Sequence, residues 1–443
     1  MSATPPDASA APPAKTIMID GRNLDLERGT GVATYARNLS YCIRDLGYRV
    51  GVLYGNKPSA KMSPAMKEIA FFDTYQPRIS PLTQAWKDVL NWGRARIGFS
   101  ATQVPMSGLV IADSFASRLP YFDAIHNSPD LFRVSHANFS RSAPLRRVQF
   151  EAPPDLMHWT YPLPLHARGI PNVYTLHDLV PLRLPHTTLD NKRRYFRLVS
   201  AICERADHIV TVSESSKADI IQLFGVSPSR VTNTYQSVYV PEAYLNRPAE
   251  AVARELEGIF GLEYRKYYLF WGSIEPKKNI GRMIEAYLSS GVPTPLVIVG
   301  AQAWKSEHEL KLLEDLQTGT GRRNNIIRLN YVPFALLMTL IAGARAALFP
   351  SLYEGFGLPV LEAMQLGTPV ITSNAASLPE VAGDACVMVN PYETRAIARA
   401  IAMVDGDEAL RDELATRGLR QGALFSPEAH AGRLKNIYDK LLK

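Results

Sequence analysis

The feature that most constrains this chain is a rhythm: apolar runs of strand length alternate with amphipathic stretches of helical length through most of its 443 residues. Parallel strands need a crossover between them, and helices laid on both faces hide such strands from water, so the pattern predicts doubly wound α/β sheets. In the first half, Thr16–Ile19, Tyr48–Tyr54, Leu156–Trp159, Asn172–Leu176 and His208–Val212 read as strands. Ala33–Leu46 and Ser213–Phe224 read as helices, the second with Ser213 as its N-cap. In the second half, strands are expected at Tyr267–Trp271, Pro295–Val299, Ile326–Leu329, Ala346–Phe349 and Val370–Thr372. Helices are expected at Asn279–Ser289, Glu307–Leu316, Ala335–Ala342 and Pro359–Leu366, and over the closing segment from Pro427 to Leu442.

A chain this long exceeds one ordinary core, so two domains are expected. The seam falls near Val238–Glu257, where Pro241 and Pro248 interrupt the pattern. The expected division is a disordered leader over 1–14, a first domain over 15–243, a second over 244–425 and a closing segment over 426–443. Residues 57–151 are proline-rich with weak periodicity and read as an irregular insertion. Within them Trp86 to Ile97 is aromatic and basic; an interfacial helix is one reading, and an insertion packed on its own domain the commoner one.

Composition excludes several classes. A hydrophobic share of 46% with 21% charged residues describes a globular chain. Cys42, Cys203 and Cys386 form no C-x-x-C pair, which argues against a disulfide framework or zinc site and suits a reducing compartment. The Ala/Pro/Ser-rich start has neither the basic nor the apolar region of a signal peptide. No stretch is long and apolar enough to span a bilayer; the longest candidate, Leu336 to Phe349, contains Arg345. A cytoplasmic protein is therefore expected. The net charge of +7 suits anionic substrates or an anionic inner leaflet and does not by itself indicate nucleic acid. Lys192, Arg193, Arg194 and Arg197 would share one helix face, more often a solvated face than a docking one.

The most informative stretch is Ser351-Leu352-Tyr353-Glu354-Gly355-Phe356-Gly357-Leu358-Pro359-Val360-Leu361-Glu362-Ala363-Met364. It follows a buried strand and opens a helix, with Pro359 in the first turn. Gly355 and Gly357 let backbone approach a ligand, and the helix N-terminus offers unpaired amides to an anion. The backbone from Gly355 through Phe356 and Gly357 to Leu358 is thus expected to cradle a diphosphate. Glu354 and Glu362 bracket it, and acids beside a phosphate cradle make sense when they hold hydroxyls or a cation, sugar and ribose hydroxyls being the simplest case. Either acid alone could be a helix cap; the whole string is far more specific. A second element, Phe270-Trp271-Gly272-Ser273-Ile274-Glu275-Pro276-Lys277-Lys278-Asn279, runs from strand through loop to helix. A lysine there can clamp a departing diphosphate, although a Lys-Lys pair alone is usually solvated surface. Gly29-Thr30-Gly31 is a weak signal between the first strand and first helix. His177-Asp178-Leu179 stands at the carboxyl end of a strand, where open α/β sheets bind ligands. Asp405–Asp407 reads as a late surface turn, not an Asp-x-Asp metal site.

The Glu354–Glu362 stretch, with Gly367-Thr368-Pro369-Val370 after it, resembles the E-x7-E signature of glycosyltransferase family 4. The resemblance implies a GT-B fold, two Rossmann-like domains facing across a cleft, with acceptor on the first and nucleotide sugar on the second. It places Glu354 beside the transferred sugar, Glu362 on the donor ribose, and the amides of Gly355 to Leu358 on sugar and diphosphate. It assigns Lys278 to the donor phosphates, Gly29 and Gly31 to a loop near diphosphate and acceptor, and His177 to the donor sugar. Many members carry arginine where this chain has Ser273 after Gly272, a cation that Lys277 could replace. The closing segment after Phe425-Ser426-Pro427-Glu428 would cross back onto the first domain. Transfer with retention is implied, through a front-face path in which the leaving diphosphate takes the acceptor proton, with catalytic roles for His177, Glu354 and Lys278, no cofactor and no metal. Asn233-Thr234-Tyr235-Gln236-Ser237-Val238 and Gly272-Ser273-Ile274-Glu275-Pro276 are similar to those of bacterial surface-polysaccharide enzymes, many of them mannosyltransferases. GDP-mannose is the expected donor and UDP-glucose the alternative; the acceptor would be a glycan or a polyprenyl-diphosphate-linked glycan, met at the inner membrane face. A nucleotide-sugar sensor without turnover and a dinucleotide oxidoreductase are the competing classes; the second lacks a G-x-G-x-x-G after the first strand.

Overall fold

A computed structural model describes residues 14–24, 31–56, 98–106, 120–139, 145–301 and 325–443, with single positions between 63 and 71. The leader up to Pro13, Gly29 and the stretches expected at Trp86 to Ile97 and Glu307–Leu316 lie outside the described residues.

Ten strands build the first sheet: β1 (Thr16–Asp20), β2 (Arg49–Tyr54), β3 (Phe99–Val104), β4 (Ala124–Asn127), β5 (Arg146–Phe150), β6 (Leu156–Trp159), β7 (Leu165–Ala167), β8 (Asn172–Thr175), β9 (His208–Thr211) and β10 (Val231–Asn233). Their order is β10-β9-β8-β6-β1-β2-β4-β3-β5-β7. At its centre Ile17 pairs in parallel with Val50 on one side and Leu156 on the other. β3 and β4 run antiparallel. Three of these strands, β3, β4 and β5, and the Leu131–Phe139 helix fall inside 57–151, the segment whose sequence reads as irregular. β3 (Phe-Ser-Ala-Thr-Gln-Val) and β5 (Arg-Arg-Val-Gln-Phe) mix buried apolar positions with exposed polar ones over only a few residues, too short for a period to stand out.

The second sheet is β11 (Tyr268–Trp271), β12 (Leu296–Val299), β13 (Ile326–Leu329), β14 (Ala346–Phe349), β15 (Val370–Ser373) and β16 (Val387–Val389), ordered β13-β12-β11-β14-β15-β16. All its pairings are parallel. β11, β12 and β14 are buried at every position, as apolar strands covered by helices on both faces must be. Helices at Ala249–Phe260, Leu378–Ala382, Thr394–Gly406 and Glu408–Ala423 add to those expected. The Asp405–Asp407 turn is a helix junction: Asp407 accepts from the Leu410 amide (2.9 Å), and Asp405 accepts from Thr294 Oγ1 (2.7 Å). Ser213 does cap the Glu214–Phe224 helix, its hydroxyl accepting from the Ser216 amide at 3.0 Å.

Contacts group the chain into two compact units. One runs to Tyr174 and includes Arg205–Asp207 and Ile437–Lys443; the other comprises Thr175–Glu204 and His208–Asn436. The first centres on Ile17, Met18, Ile19, Met157 and Trp159, with buried Tyr438 placing its hydroxyl 2.7 Å from His158 Nδ1. Gly31, in this unit, opens the Gly31–Asp45 helix and is exposed. The three cysteines are free and buried. Among the described residues no helix is long and apolar enough to cross a membrane.

Candidate active site

The candidate site residues from His177 to Glu362 lie within the second unit. β14 delivers the chain into the loop from Ser351 to Gly357, and side chains at the end of β15 and just after it hold that loop by its carbonyls. Ser373 Oγ donates to the Ser351 carbonyl (2.6 Å), and Ser377 Oγ lies 2.9 and 2.8 Å from those of Glu354 and Phe356. Among the described residues the amides of Gly355, Phe356, Gly357 and Leu358 make no hydrogen bond. They end at the N-terminus of the Leu358–Gln365 helix, whose dipole favours an anion. Gly357 has φ +112°, a region L side chains rarely adopt, and a Cβ there would stand 2.8 Å from Leu378 Cδ2. Gly357→Ala is therefore expected to destabilise the protein by about 1–3 kcal/mol, read as a lower midpoint in denaturant unfolding; an unchanged midpoint would mean that the turn relaxes freely.

The charged groups converge on this loop. Lys278 Nζ lies 2.6 Å from Glu354 Oε1, which also accepts from Ser351 Oγ at 2.8 Å. Both side chains of the ion pair are about nine-tenths buried. Burial acts to raise the Glu354 pKa, but Lys278, Lys277 and the bonds from Lys278 and Ser351 outweigh it and hold the carboxyl below its usual range. Lys277 Nζ stands 3.6 Å from Glu275 Oε1. Burial acts to lower its pKa, yet the charges of Glu354, Asp178 and Glu275 raise it on balance. Lys277 therefore stays cationic. The backbone ties the two loops together, with the Leu352 amide donating to the Lys277 carbonyl at 2.7 Å. Asn279, in the left-handed region at φ 62°, donates from Nδ2 to the carbonyls of Pro350 and Pro391. Asparagine tolerates that conformation better than most residues.

Glu362 sits one turn into the helix, its Oε2 accepting from Trp271 Nε1 at 2.8 Å. Burial pushes its carboxyl up to about 7, against the opposing effects of the Trp271 bond and the Lys278 charge. Two acids on one loop–helix therefore differ: Glu354 is an ion-paired carboxylate, and Glu362 titrates near neutrality.

His177 and Asp178 follow β8 and pack directly against the loop. A Cβ on Gly355 would meet Asp178 Oδ2 at 2.9 Å and the His177 carbonyl at 3.0 Å, so a glycine is needed here for close approach. Ser216 Oγ donates to the His177 carbonyl (2.9 Å), and Gln236 Nε2 lies 3.5 Å from His177 Nδ1. The carboxylate of Glu380 caps the Glu214–Phe224 helix, accepting from the amides of Glu214 and Ser215 at 2.8 and 3.0 Å.

Of the residues singled out in the sequence, the structure gathers His177, Lys277, Lys278, Glu354, Gly355, Phe356, Gly357, Leu358 and Glu362 into one neighbourhood. Gly272 and Ser273 stand at the end of β11, and Ser273 is exposed. Arg282, the nearest arginine in sequence after them, is engaged with Asn279 Oδ1 at 2.7 Å. Trp271, Asp178, Ser351 and Ser377 act on the site without an assigned part; the first three stand inside the stretches singled out above, whereas Ser377 lies beyond them in sequence.

Comparison with known proteins agrees with this architecture. The profile described as Glycosyl transferases group 1 matches residues 255–421, and that of Glycosyltransferase Family 4 matches residues 29–238. O-antigen chain mannosyltransferase B of Escherichia coli is 36% identical over 278 residues, 61% of this chain and 70% of that one. The serotype-specific mannosyltransferase WbdA of Escherichia coli is 32% identical over 273 residues, 60% of this chain and 33% of that one, so the match spans about a third of WbdA. This chain belongs to glycosyltransferase family 4. Among solved structures, Anabaena HepE in complex with UDP has a TM-score of 0.65 at 16% identity, covering 96% of this chain and 100% of that one. Sucrose-phosphate synthase from Thermosynechococcus elongatus has a TM-score of 0.64 at 18% identity, covering 96% and 99%. At such identities the likeness speaks for the fold alone, the paired Rossmann-like parallel sheets of GT-B glycosyltransferases.

Proposed function

We propose that this protein is a retaining, metal-independent hexosyltransferase that moves mannose from GDP-mannose onto a glycan or polyprenyl-diphosphate-linked acceptor in bacterial surface-polysaccharide synthesis. The observation that carries the reading is the meeting of two lysines, two unlike carboxylates and four amides without a hydrogen bond among the described residues at one helix N-terminus. A diphosphate is the ligand that uses the lysines and amides, and hydroxyl-bearing rings at its two ends are what the acids can hold. In this reading Glu354 and His177 meet the sugar, and Glu362 accepts from the ribose. Lys278, Lys277 and the amides of Gly355 to Leu358 take the charge that grows on the leaving diphosphate as the anomeric bond breaks. With that charge met by lysines and backbone, no divalent ion is required. The departing phosphate oxygen takes the acceptor proton on the same sugar face, which gives retention without a protein nucleophile. The mannosyltransferase relatives support mannose over other hexoses. A protein of this kind would work in the cytoplasm, peripherally at the inner membrane face, where lipid-linked acceptors are available.

The test is a thermal-shift panel of GDP-mannose, GDP, UDP-glucose and UDP, followed by sugar release and transfer in the presence and absence of EDTA. At a hundred times its Kd, a donor should stabilise the fold by about 2.7 kcal/mol, with GDP-mannose giving the largest shift and EDTA leaving turnover unchanged. A panel without any shift, or binding without sugar release, would sink the transferase reading; the second result would favour a sensor.

A further inference from the structure

We propose that the N-terminal half of the Lys192–Arg205 helix, with the end of the Glu214–Phe224 helix beside it, is the face by which this protein lies on an anionic phospholipid bilayer. The inference rests on the lipid-linked acceptor proposed above. Lys192, Arg193, Phe196 and Arg197 fall on one side of the helix and line one open depression. Phe196 is 44% exposed, Leu189 just before the helix 69%, and Leu223 on the neighbouring helix 36%. The two helices touch through Phe196 and Phe224, whose rings are 5.0 Å apart. Among the described residues no carboxylate lies within ion-pair distance of Lys192, Arg193 or Arg197, and Lys192 Nζ bonds only the Thr188 carbonyl. Several exposed cations elsewhere do pair with neighbouring acids, as in Arg44 with Asp45, Lys266 with Glu263 and Arg417 with Glu413.

Uncompensated cations would also suit a soluble phosphate. Exposed Leu189, Phe196 and Leu223 gain nothing from one, whereas at a bilayer they enter the acyl boundary while the cations meet headgroups. The opposite side of the helix is fixed by buried Leu198, Val199, Ile202 and Cys203. Tyr195, one residue from Phe196, donates its hydroxyl to the Asp178 carbonyl at 3.0 Å. A helix resting on lipid would therefore hold the His177–Asp178 loop close to the membrane surface.

The experiment is co-sedimentation of the full chain with vesicles of mixed phosphatidylglycerol and phosphatidylcholine, or of phosphatidylcholine alone. Release of sugar from soluble donor is assayed on the same samples. The wild type should bind the anionic vesicles, more weakly as salt rises, and not the neutral ones. The triple variant Lys192→Ala, Arg193→Ala, Arg197→Ala should lose binding on the order of 100-fold, at about fivefold for each cation. Phe196→Ser should lose it severalfold, and sugar release should be unchanged in both. Equal vesicle binding by wild type and triple variant would overturn the proposal. So would inorganic pyrophosphate that stabilises the wild type and not the triple variant while the vesicles fail to distinguish them. A protein that binds vesicles through this face and never releases sugar would refute the transferase reading alone.

Discussion

Lys278→Ala is expected to lower kcat by about 10²–10³-fold, the usual consequence of removing one preorganised group from a developing anion. The donor KM should change less, because the unbonded amides from Gly355 to Leu358 still hold the diphosphate in the ground state. The same substitution strips Glu354 of the cation 2.6 Å away and leaves a buried carboxylate with only Ser351 Oγ and the more distant Lys277. Breaking a buried pair from one side costs about 3–5 kcal/mol, and Lys277 offsets part of that. Turnover and folding must therefore be separated. The double variant Lys278→Ala, Glu354→Gln should regain most of the lost stability in denaturant unfolding and none of the lost turnover. If the double variant recovered activity along with stability, Lys278 would be a structural partner of Glu354 and not the diphosphate clamp.

Glu362→Gln is expected to make the empty protein more stable at alkaline pH and a poorer enzyme. Its folded pKa of about 7, against 4.5 for the free side chain, means that the folded state favours the protonated acid. The contribution from that proton is complete below pH 4.5 and is lost as pH rises through about 7. At pH 8 the wild type therefore bears a charged, enclosed carboxylate at a cost of roughly 3 kcal/mol. Glutamine removes this cost and can still accept from Trp271 Nε1. The variant's advantage in unfolding free energy should be absent near pH 4 and grow up to pH 8. The donor KM should rise by about 10–100-fold, as expected when a charged partner of hydroxyl groups is lost. Equal stability of the two proteins at pH 8 would show that Glu362 is not held away from water, and an unchanged KM would remove it from the ribose.

The sequence and the structure agree best where one chemistry dominates a short segment. Leu156–Trp159, Ile326–Leu329 and Ala346–Phe349 read as strands with the bounds they have, because polar or proline residues flank short, mainly apolar runs. The Ser213 cap was equally plain, since a hydroxyl before an amphipathic run has few other uses. β3 and β5 were not legible: buried apolar and exposed polar positions mix over five or six residues, and partners rather than propensity make them strands. At the site, Glu354 and Glu362 could be paired because one motif holds both. Trp271 is 91 residues from the acid it orients. Asp178 meets Gly355 only where two segments distant in sequence pack together. Such contacts leave no periodic trace. Residue type alone does not tell Lys277 from Lys278, which only the family resemblance separates; in the fold one faces Glu275 and the other Glu354.

The Lys278–Glu354 pair also bears on how a catalytic cycle would end. Each of these residues is the other's partner, so a ligand offering only phosphate must pull Lys278 from Glu354 and strand the carboxylate. A complete nucleotide sugar brings both an anion for the lysine and hydroxyls for the acid. Once the sugar has departed, the spent nucleotide supplies only half of that exchange, and closure of the pair competes with it. Weak product inhibition, and indifference to millimolar inorganic phosphate, are what such a latch would confer.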